Sequence, residues 1–389
     1  MEVYILDDLL RRDTVIDVWV SFIWTERFYS IGDFQLVVAA SLQAKNAFTK
    51  GTQLAMSESD YIMVVETVED DTSADGVATI KITGPAFENI LDNRVARDAL
   101  SDLTTDPKWI LTDTPINIAT QIFHDICVTG VLDAADVIPY INEGTIYPPD
   151  TIPPSADTIT YEMDLQSVYT AIATLCVQYN MGFRIVRDGD TSALYFNIYT
   201  GSDRTTAQHD LPAVVFSPDM DNLQNTSALT SIALYKNVVY VISPVGSEVV
   251  YALDVDSSTV GYDRRVLFIK ADDITDPDPP TASALMIQRG TDELAKARQV
   301  TAFDGEIPQS SQYVYGRDYH LGDLLERRDE YDETTIVQVT EQIFTSDSTG
   351  DHSYPTLTAY EFVTSGSWND TAYNIDWDTV DTALDWDDA

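Results

Sequence analysis

Four histidines are the residues of this sequence best suited to acid–base or metal chemistry, and they are scattered along the chain. They are His124, His209, His320 and His352. No two of them have the spacing at which successive turns of a helix hold zinc. His124 lies in the otherwise apolar segment IFHDIC, where we expect a hydrogen-bonded structural histidine. The histidines therefore predict neither a metal site nor a catalytic base.

Carboxylates are so abundant that no pair of them stands out as catalytic. The chain carries 64 Asp and Glu residues, so a glycosidase-like couple could be drawn at many places. Asp254-Val255-Asp256 and Asp376-Trp377-Asp378 could bind calcium weakly, but neither continues into an EF-hand loop, and we interpret both as solvated surface. Signatures of serine hydrolases, phosphate-binding loops and dinucleotide folds are absent. We predict no catalytic, cofactor-binding or metal-binding residue, with a carboxylate-based carbohydrate hydrolase as the enzymatic alternative.

The net charge of -42 argues against binding of nucleic acid, because an acidic surface repels the phosphate backbone. The acidity also fits solubility or a high-salt habitat. Cys127 and Cys176 fall in apolar, helix-like segments and are interpreted as buried thiols. Charges in MEVYILDDLLRRD predict no secretory signal, and the polar residues within Leu165 to Phe183 predict no membrane span. We expect a soluble protein that is synthesised in the cytoplasm.

Three tryptophans, Trp368, Trp377 and Trp386, stand nine residues apart in an acidic C-terminal segment. A step of nine places them on no common face of a helix or strand. Exposed indoles are costly in water, so the segment is a candidate for docking on a partner through these three residues. A tail that folds back on its own barrel is the alternative.

The sequence pattern around these residues predicts a β-rich α+β fold. Period-two patterns predict a first β-barrel domain over 1–103. An α/β insertion over 104–206 should hold a helix from Pro115 to about Gly130, a second helix capped by Asp164, and a hairpin. A second β-barrel domain is predicted over 207–270 and 301–365, interrupted by a helical insertion over 271–300 that is capped by Thr281. The acidic tail occupies 366–389.

A repeated sequence pattern supports this organisation into two barrels. Gly51 to Gly84 and Gly322 to Phe362 both read as a glycine turn followed by a three-strand meander. Two related barrels in one chain, without a catalytic motif, favour a component of an assembly over an enzyme.

Several segments together resemble a family of tailed-phage proteins. They are IWTERFYSIGDFQL at Ile23 to Leu36, ILDNRVARDALSDLTTDPKW at Ile90 to Trp109, IFHDICVTGVLD at Ile122 to Asp133, and YHLGDL at Tyr319 to Leu324. The chain resembles the siphophage tail-hub minor tail proteins of the Tal-type or baseplate-hub group, particularly those of phages that infect actinobacteria. The resemblance covers residues 1 to about 365, and the acidic tail departs from it.

The resemblance implies a structural virion protein at the tail tip. Such hubs are homotrimers in which two tube-like barrels per subunit give a pseudo-sixfold ring, joining the sixfold tail tube and distal tail ring to a threefold tip. The implied partners are the distal tail protein, the C-terminus of the tape measure protein, and downstream tail-tip or fibre proteins. The ring closes the tube before DNA ejection, and an acidic lumen would keep passing DNA from sticking. A receptor- or glycan-binding tail module is the alternative.

Overall fold

The computed structural model describes residues 1–72, 76–97, 108–144, 152–252, 255–272, 274–275, 277–297, 300–308, 311–329 and 331–360. Strands dominate these residues, as the sequence predicts, and four α-helices lie among them. No helix in these ranges is long and apolar enough to cross a membrane.

The N-terminal part holds nine strands and one short α-helix. The strands are β1 (Val3–Leu6), β2 (Arg12–Ile16), β3 (Ser21–Arg27), β4 (Asp33–Ala39), β5 (Gln53–Met56), β6 (Ile62–Val64), β7 (Thr67–Thr72), β8 (Ala78–Pro85) and β9 (Val95–Ala96). Helix α1 (Leu42–Ala47) lies between β4 and β5, and a 3-10 helix (Phe87–Asn93) follows β8.

The α/β insertion follows. Its strands are β10 (Trp109–Asp113), β11 (Ile141–Glu143), β12 (Ile159–Met163), β13 (Gln166–Ser167), β14 (Gly182–Arg187) and β15 (Leu194–Tyr199). Helix α2 (Pro115–Phe123) continues as a π-helix (His124–Val128), and α3 (Val168–Gln178) precedes the predicted hairpin of β14 and β15.

The C-terminal part returns to strands. They are β16 (Val215–Phe216), β17 (Gln224–Ser231), β18 (Val238–Ser243), β19 (Gly246–Tyr251), β20 (Val266–Lys270), β21 (Val300–Glu306), β22 (Leu324–Arg328), β23 (Thr334–Asp347) and β24 (Gly350–Ala359). Helix α4 (Pro279–Lys296) separates β20 from β21.

One ten-stranded sheet combines strands from the N-terminal part and the C-terminal part of the chain. Its main path runs β17-β21-β24-β23-β3-β4-β8-β7, and β16 and β22 attach beside β23. The path consists of two four-stranded units with the same internal order. The C-terminal unit is β17-β21-β24-β23 and the N-terminal unit is β3-β4-β8-β7. Within the described residues this path is an open sheet and does not close into a barrel.

The predicted repeat is confirmed at the level of hydrogen bonds. Gly51 and Gly322 share a φ of 88°, the left-handed region that favours glycine. Gly51 donates to the carbonyl of Val65 at 2.7 Å, and Gly322 donates to the carbonyl of Val339 at 2.8 Å. In the first copy the middle strand is broken into β6 and β7, whereas in the second it is the continuous β23 with a register shift between Val339 and Glu341.

A single core lies against one face of the large sheet and spans both units. Trp24, Leu36 and Ile82 from the N-terminal unit are buried together with Phe344 and Leu357 from the C-terminal unit. The two predicted barrel domains therefore share a core, and the predicted domain boundaries stay predictions.

A second core belongs mainly to the α/β insertion. Ile118 and Ile122 of α2 pack with Ile172 and Leu175 of α3. The predicted cap of α3 was wrong. Ser167 is the N-cap and accepts from the backbone of Thr170 at 3.1 Å, because its pairing with Val95 fixes it in an extended conformation.

The helical insertion is larger than the predicted 271–300, because β18, β19 and β20, which the sequence places in the second barrel domain, form a separate sheet of order β19-β18-β20. This sheet and α4 enclose a third, smaller core and together make up the helical insertion. Helix α4 begins after Asp278 rather than at Thr281. Proline suits the first helical turn, so Pro279 and Pro280 occupy its first positions, and the Thr281 hydroxyl donates to Asp278 at 2.6 Å. The sequence predicts the turn between β18 and β19 at Gly246-Ser247, but it lies two residues earlier, at Pro244-Val245.

Candidate assembly surface

The two ends of the large sheet are exposed edges. At one end β7 pairs only with β8, and at the other β17 pairs only with β21, within the described chain. Glu69, Asp70 and Asp71 of β7 are all exposed. An edge strand presents a row of backbone donors and acceptors that can pair with another chain. Three successive acids on β7 discourage pairing with an arbitrary strand.

The two units meet inside the chain at a seam between β23 and β3. The strands are antiparallel, with Glu341 opposite Arg27, Ile343 opposite Thr25 and Thr345 opposite Ile23. Arg27 also donates to Glu341 at 2.6 Å across the seam. The seam thus joins the third strand of one unit to the first strand of the other.

The sheet face opposite the shared core carries charged side chains alongside apolar ones such as Ile23, Val37 and Ile343. Arg27 contacts Asp33 at 2.6 Å as well as Glu341, so one guanidinium bridges two strands beside the seam. The strand registers place Lys81 next to Glu69 on the same face. Charged residues that share this face are Arg27, Lys81, Asp33, Glu69, Asp71 and Glu341. Acidic residues outnumber basic ones there.

Two buried acids, Glu26 and Glu88, lie where the large sheet meets other parts of the chain. Glu26 accepts from the hydroxyl of Tyr315 at 2.7 Å and from the indole of Trp24 at 3.1 Å. Burial raises the pKa of Glu26 to about 7. Glu88 accepts from the backbone of Ile185 at 2.7 Å, and burial raises its pKa to about 8.

These acids connect the parts of the chain. Glu26 comes from β3 and Tyr315 from the loop before β22, whereas Glu88 follows β8 and its partner Ile185 lies in the insertion. Protonated carboxyls can stay in such an apolar setting without an uncompensated charge. We assign both acids to structure, since the contacts around them tie elements together.

The residues singled out in the sequence do not converge on one site. His124 contacts Glu143 at 2.8 Å, which confirms a hydrogen-bonded histidine, although its side chain is 44% exposed. His352 contacts Glu306 at 2.6 Å. Among the described residues no group of three or more His, Cys, Asp or Glu is arranged to hold a metal ion. Trp368, Trp377 and Trp386 lie outside the described residues.

The cysteines are free and buried, as predicted. Burial raises the pKa of Cys127 to about 12 and raises that of Cys176 as well. A buried thiol with a raised pKa is a poor nucleophile and resists oxidation.

Residues 2–355 match the profile of one protein family, described as Siphovirus ReqiPepy6 Gp37-like protein. The chain belongs to this family. Among curated proteins, none matches the Gp37-like chain.

Solved structures share the fold of the Gp37-like chain. The tail protein from Neisseria meningitidis MC58 is 10% identical with a TM-score of 0.56, covering 92% of this chain and 96% of that one. The 43 kDa tail protein of prophage MuSo2 from Shewanella oneidensis is 13% identical with a TM-score of 0.53, covering 92% and 98%. At such identities the likeness establishes a common fold alone.

The sequence of the Gp37-like chain predicted the repeat, but it did not predict that β7 and β17 are exposed edge strands of the large sheet. The signal available was the run Glu69-Asp70-Asp71 in a strand that otherwise fits a sheet. Consecutive acids in a strand are typical of an edge.

Proposed function

We propose that this Gp37-like protein is a structural component of a siphophage tail and forms a homotrimeric hub at the tail tip. The observation that carries the proposal is the head-to-tail order of the two four-stranded units in one sheet, with an exposed edge strand at each end.

Head-to-tail order means that the internal seam can be repeated between subunits. The seam joins a third strand, β23, to a first strand, β3. The exposed edges are the other third strand, β7, and the other first strand, β17. Pairing β7 of one subunit with β17 of the next reproduces the same junction. Three subunits then bring six similar units into one wall, which accounts for a threefold protein that meets a sixfold tube.

The repeat also sets the register of the proposed junction. Counting from the equivalent Val65 and Val339, Glu69 corresponds to Ile343, and both pair with the last strand of their unit, at Lys81 and Tyr354. The strand pairs can be followed in each unit from its last strand, through its second strand, to its first strand. Followed in this way, Leu229 of β17 is equivalent to Thr25 of β3. Ile343 faces Thr25 at the seam, so Glu69 should face Leu229 of the neighbouring subunit.

The charged face of the large sheet supports the proposal that the ring surrounds a channel through which DNA passes. The shared core occupies one face of the sheet, so the opposite, net acidic face would line the channel of the ring. Like charge there keeps DNA from adhering to the wall as it passes. In this proposal the ring contacts the distal tail protein and the C-terminus of the tape measure protein, carries downstream tip or fibre proteins, closes the tube before ejection, and has a structural rather than catalytic role.

A disulfide tests the junction. Directly opposed residues of an antiparallel pair have Cα atoms about 4.5–5.5 Å apart, within reach of a disulfide. Within one chain, positions 69 and 229 lie at opposite ends of an eight-strand path, roughly 34 Å apart at the usual strand spacing. Glu69→Cys with Leu229→Cys should therefore form covalent dimers and trimers under mild oxidation.

The matched control shifts the register by one residue. Glu69→Cys with Thr230→Cys places the two thiols on opposite faces of the junction and should crosslink poorly. Non-reducing electrophoresis combined with mass measurement reads both variants, and the native Cys127 and Cys176 are buried. A monomer in the first variant would refute the junction, and a ladder extending beyond the trimer would refute threefold closure.

A further inference from the structure

The small sheet of the helical insertion has one apolar face that the described elements leave uncovered, apart from the buried Val238 at one end. Its other face packs on α4, where Val239 and Val241 are fully buried against Leu285 and Met286. On the uncovered face Tyr240 is 37% exposed, Ile242 42% and Phe268 55%. An apolar patch in a sheet marks a surface that contacts something.

This face differs in charge from the rest of the chain. Its accessible alternate residues are Tyr240, Ile242, Ser247, Val249, Tyr251, Val266, Phe268 and Lys270, and none of them is acidic. Arg264 borders the same face, where it donates to the hydroxyl of Tyr240 at 3.0 Å and lies 5.9 Å from the ring of Tyr251. In a chain of 64 acidic and 22 basic residues, this face is apolar with a basic rim.

The C-terminal segment has the complementary composition. Residues 366–389 contain three tryptophans and seven Asp residues, with no Lys or Arg. Trp377 lies between Asp376 and Asp378, and Trp386 between Asp385 and Asp387. Indoles match an aromatic and aliphatic sheet face, and the flanking carboxylates match an Arg and Lys rim.

The last described strand, β24, ends close to the place where the helical insertion joins the large sheet. In the large sheet Thr358 pairs with Ala302, and Val300 pairs with Ser231. Ser231 and Val300 are the positions at which the chain leaves and re-enters the large sheet to form the helical insertion. Trp368 follows Tyr360 by eight residues, a span of up to about 28 Å for extended chain. The tail therefore starts next to the insertion and has the length to reach its uncovered face.

We propose that the acidic tryptophan segment, residues 366–389, docks on the apolar face of β18, β19 and β20 of its own chain. Its indoles cover Tyr240, Ile242 and Phe268, and its Asp residues approach Lys270 and Arg264. The tail then shields the one sheet face of the insertion that lacks a helix.

Zero-length carbodiimide crosslinking of the full chain tests this contact. The reagent joins a lysine amine to a carboxylate only where the two touch, so mass spectrometry should find Lys270 joined to Asp residues of the tail. Lys50 is exposed in the turn before β5 and serves as the control lysine. A tail that crosslinks equally to Lys50 and Lys270, or not to Lys270 at all, would overturn the proposal.

A substitution on the face should release the tail. Phe268→Ser removes an exposed ring, so the body should stay folded while crosslinking from Lys270 falls at least fivefold. Acrylamide quenching of tryptophan fluorescence should rise, because Trp24 and Trp109 of the body are buried and the half-buried Trp19 contributes equally to both proteins. Tyr331→Ser is the matched control, since Tyr331 is 81% exposed and lies outside the face; it should change neither measurement. Equal effects of the two substitutions would contradict the proposal.

Isotope mixing separates the same chain from a neighbour. When ¹⁵N-labelled and unlabelled chains are mixed before crosslinking, the Lys270–tail products should carry a single label. Products that combine both labels would show that the tail belongs to another subunit and would overturn docking within one chain.

Discussion

The buried acids Glu26 and Glu88 make the stability of this protein dependent on pH. Burial raises the pKa of both carboxyls, to about 7 and about 8. In the unfolded chain the same groups ionise near 4.5. The folded state therefore holds more protons between these values, and its stability falls as pH rises from about 4.5 through about 8.

Glu88→Gln should remove the contribution of this carboxyl. The amide oxygen can still accept from Ile185, and no charge has to be buried at high pH. We expect the variant to gain on the order of 3 kcal/mol over the wild type between pH 5 and pH 9. Thermal unfolding of both proteins across this range measures the difference.

An exposed glutamate supplies the control for this experiment. Glu333 lies in the exposed turn before β23, so Glu333→Gln should run parallel to the wild type at every pH. If Glu88→Gln also ran parallel to the wild type, Glu88 would be ionised in the folded protein, and the assigned pKa would be wrong.

At the scale of elements, the repeat allows one substitution to be made twice. Gly51 and Gly322 occupy equivalent turns with φ of 88°, yet their surroundings differ. A Cβ on Gly51 meets nothing within 4 Å, whereas on Gly322 it would lie 2.5 Å from the ring of Phe28. Phe28 is fully buried, so the side chains packed around it restrict the movement of its ring.

Alanine should therefore cost more at the second turn. Gly51→Ala introduces only backbone strain, about 1–2 kcal/mol, and Gly322→Ala adds a steric clash of about 1–3 kcal/mol. Chemical denaturation of the two variants gives the comparison. Equal losses would mean that the core around Phe28 adjusts, or that the turns are not equivalent.

These elements also show what the sequence could and could not predict. Glycine turns and alternating patterns are local, so the repeated meanders and the helix after Thr114 were predictable. The cap of α3 was missed because Asp164 and Ser167 are both good capping residues, and only the pairing of Ser167 with Val95 selects between them.

The joining of the two units had no local signal at all. The seam contact between Arg27 and Glu341 spans 314 residues. Its register follows from packing on a shared core, and patterns within either segment do not contain that information. The edge strands, and with them the candidate assembly surface, appear only once the seam is known.

At the scale of the whole molecule, net charge opposes the proposed ring. Each chain carries -42, and like-charged subunits repel one another. The proposed junction offers little direct compensation: β7 brings Glu69, Asp70 and Asp71, while β17 contains no charged residue. Backbone hydrogen bonds and apolar contact must hold the subunits together against this repulsion.

Salt should therefore strengthen the trimer. Raising NaCl from 20 mM to 500 mM shortens the screening length from roughly 20 Å to about 4 Å, which weakens repulsion between subunits and leaves the strand pairing intact. We expect sedimentation velocity to show a growing trimer fraction at fixed protein concentration. Replacing Glu69, Asp70 and Asp71 by Gln, Asn and Asn should raise the trimer fraction at low salt and flatten its salt dependence, because the main local source of repulsion is gone. A trimer that dissociates as salt rises would show instead that ion pairs hold the ring, and the neutral β17 could not then be the partner of β7.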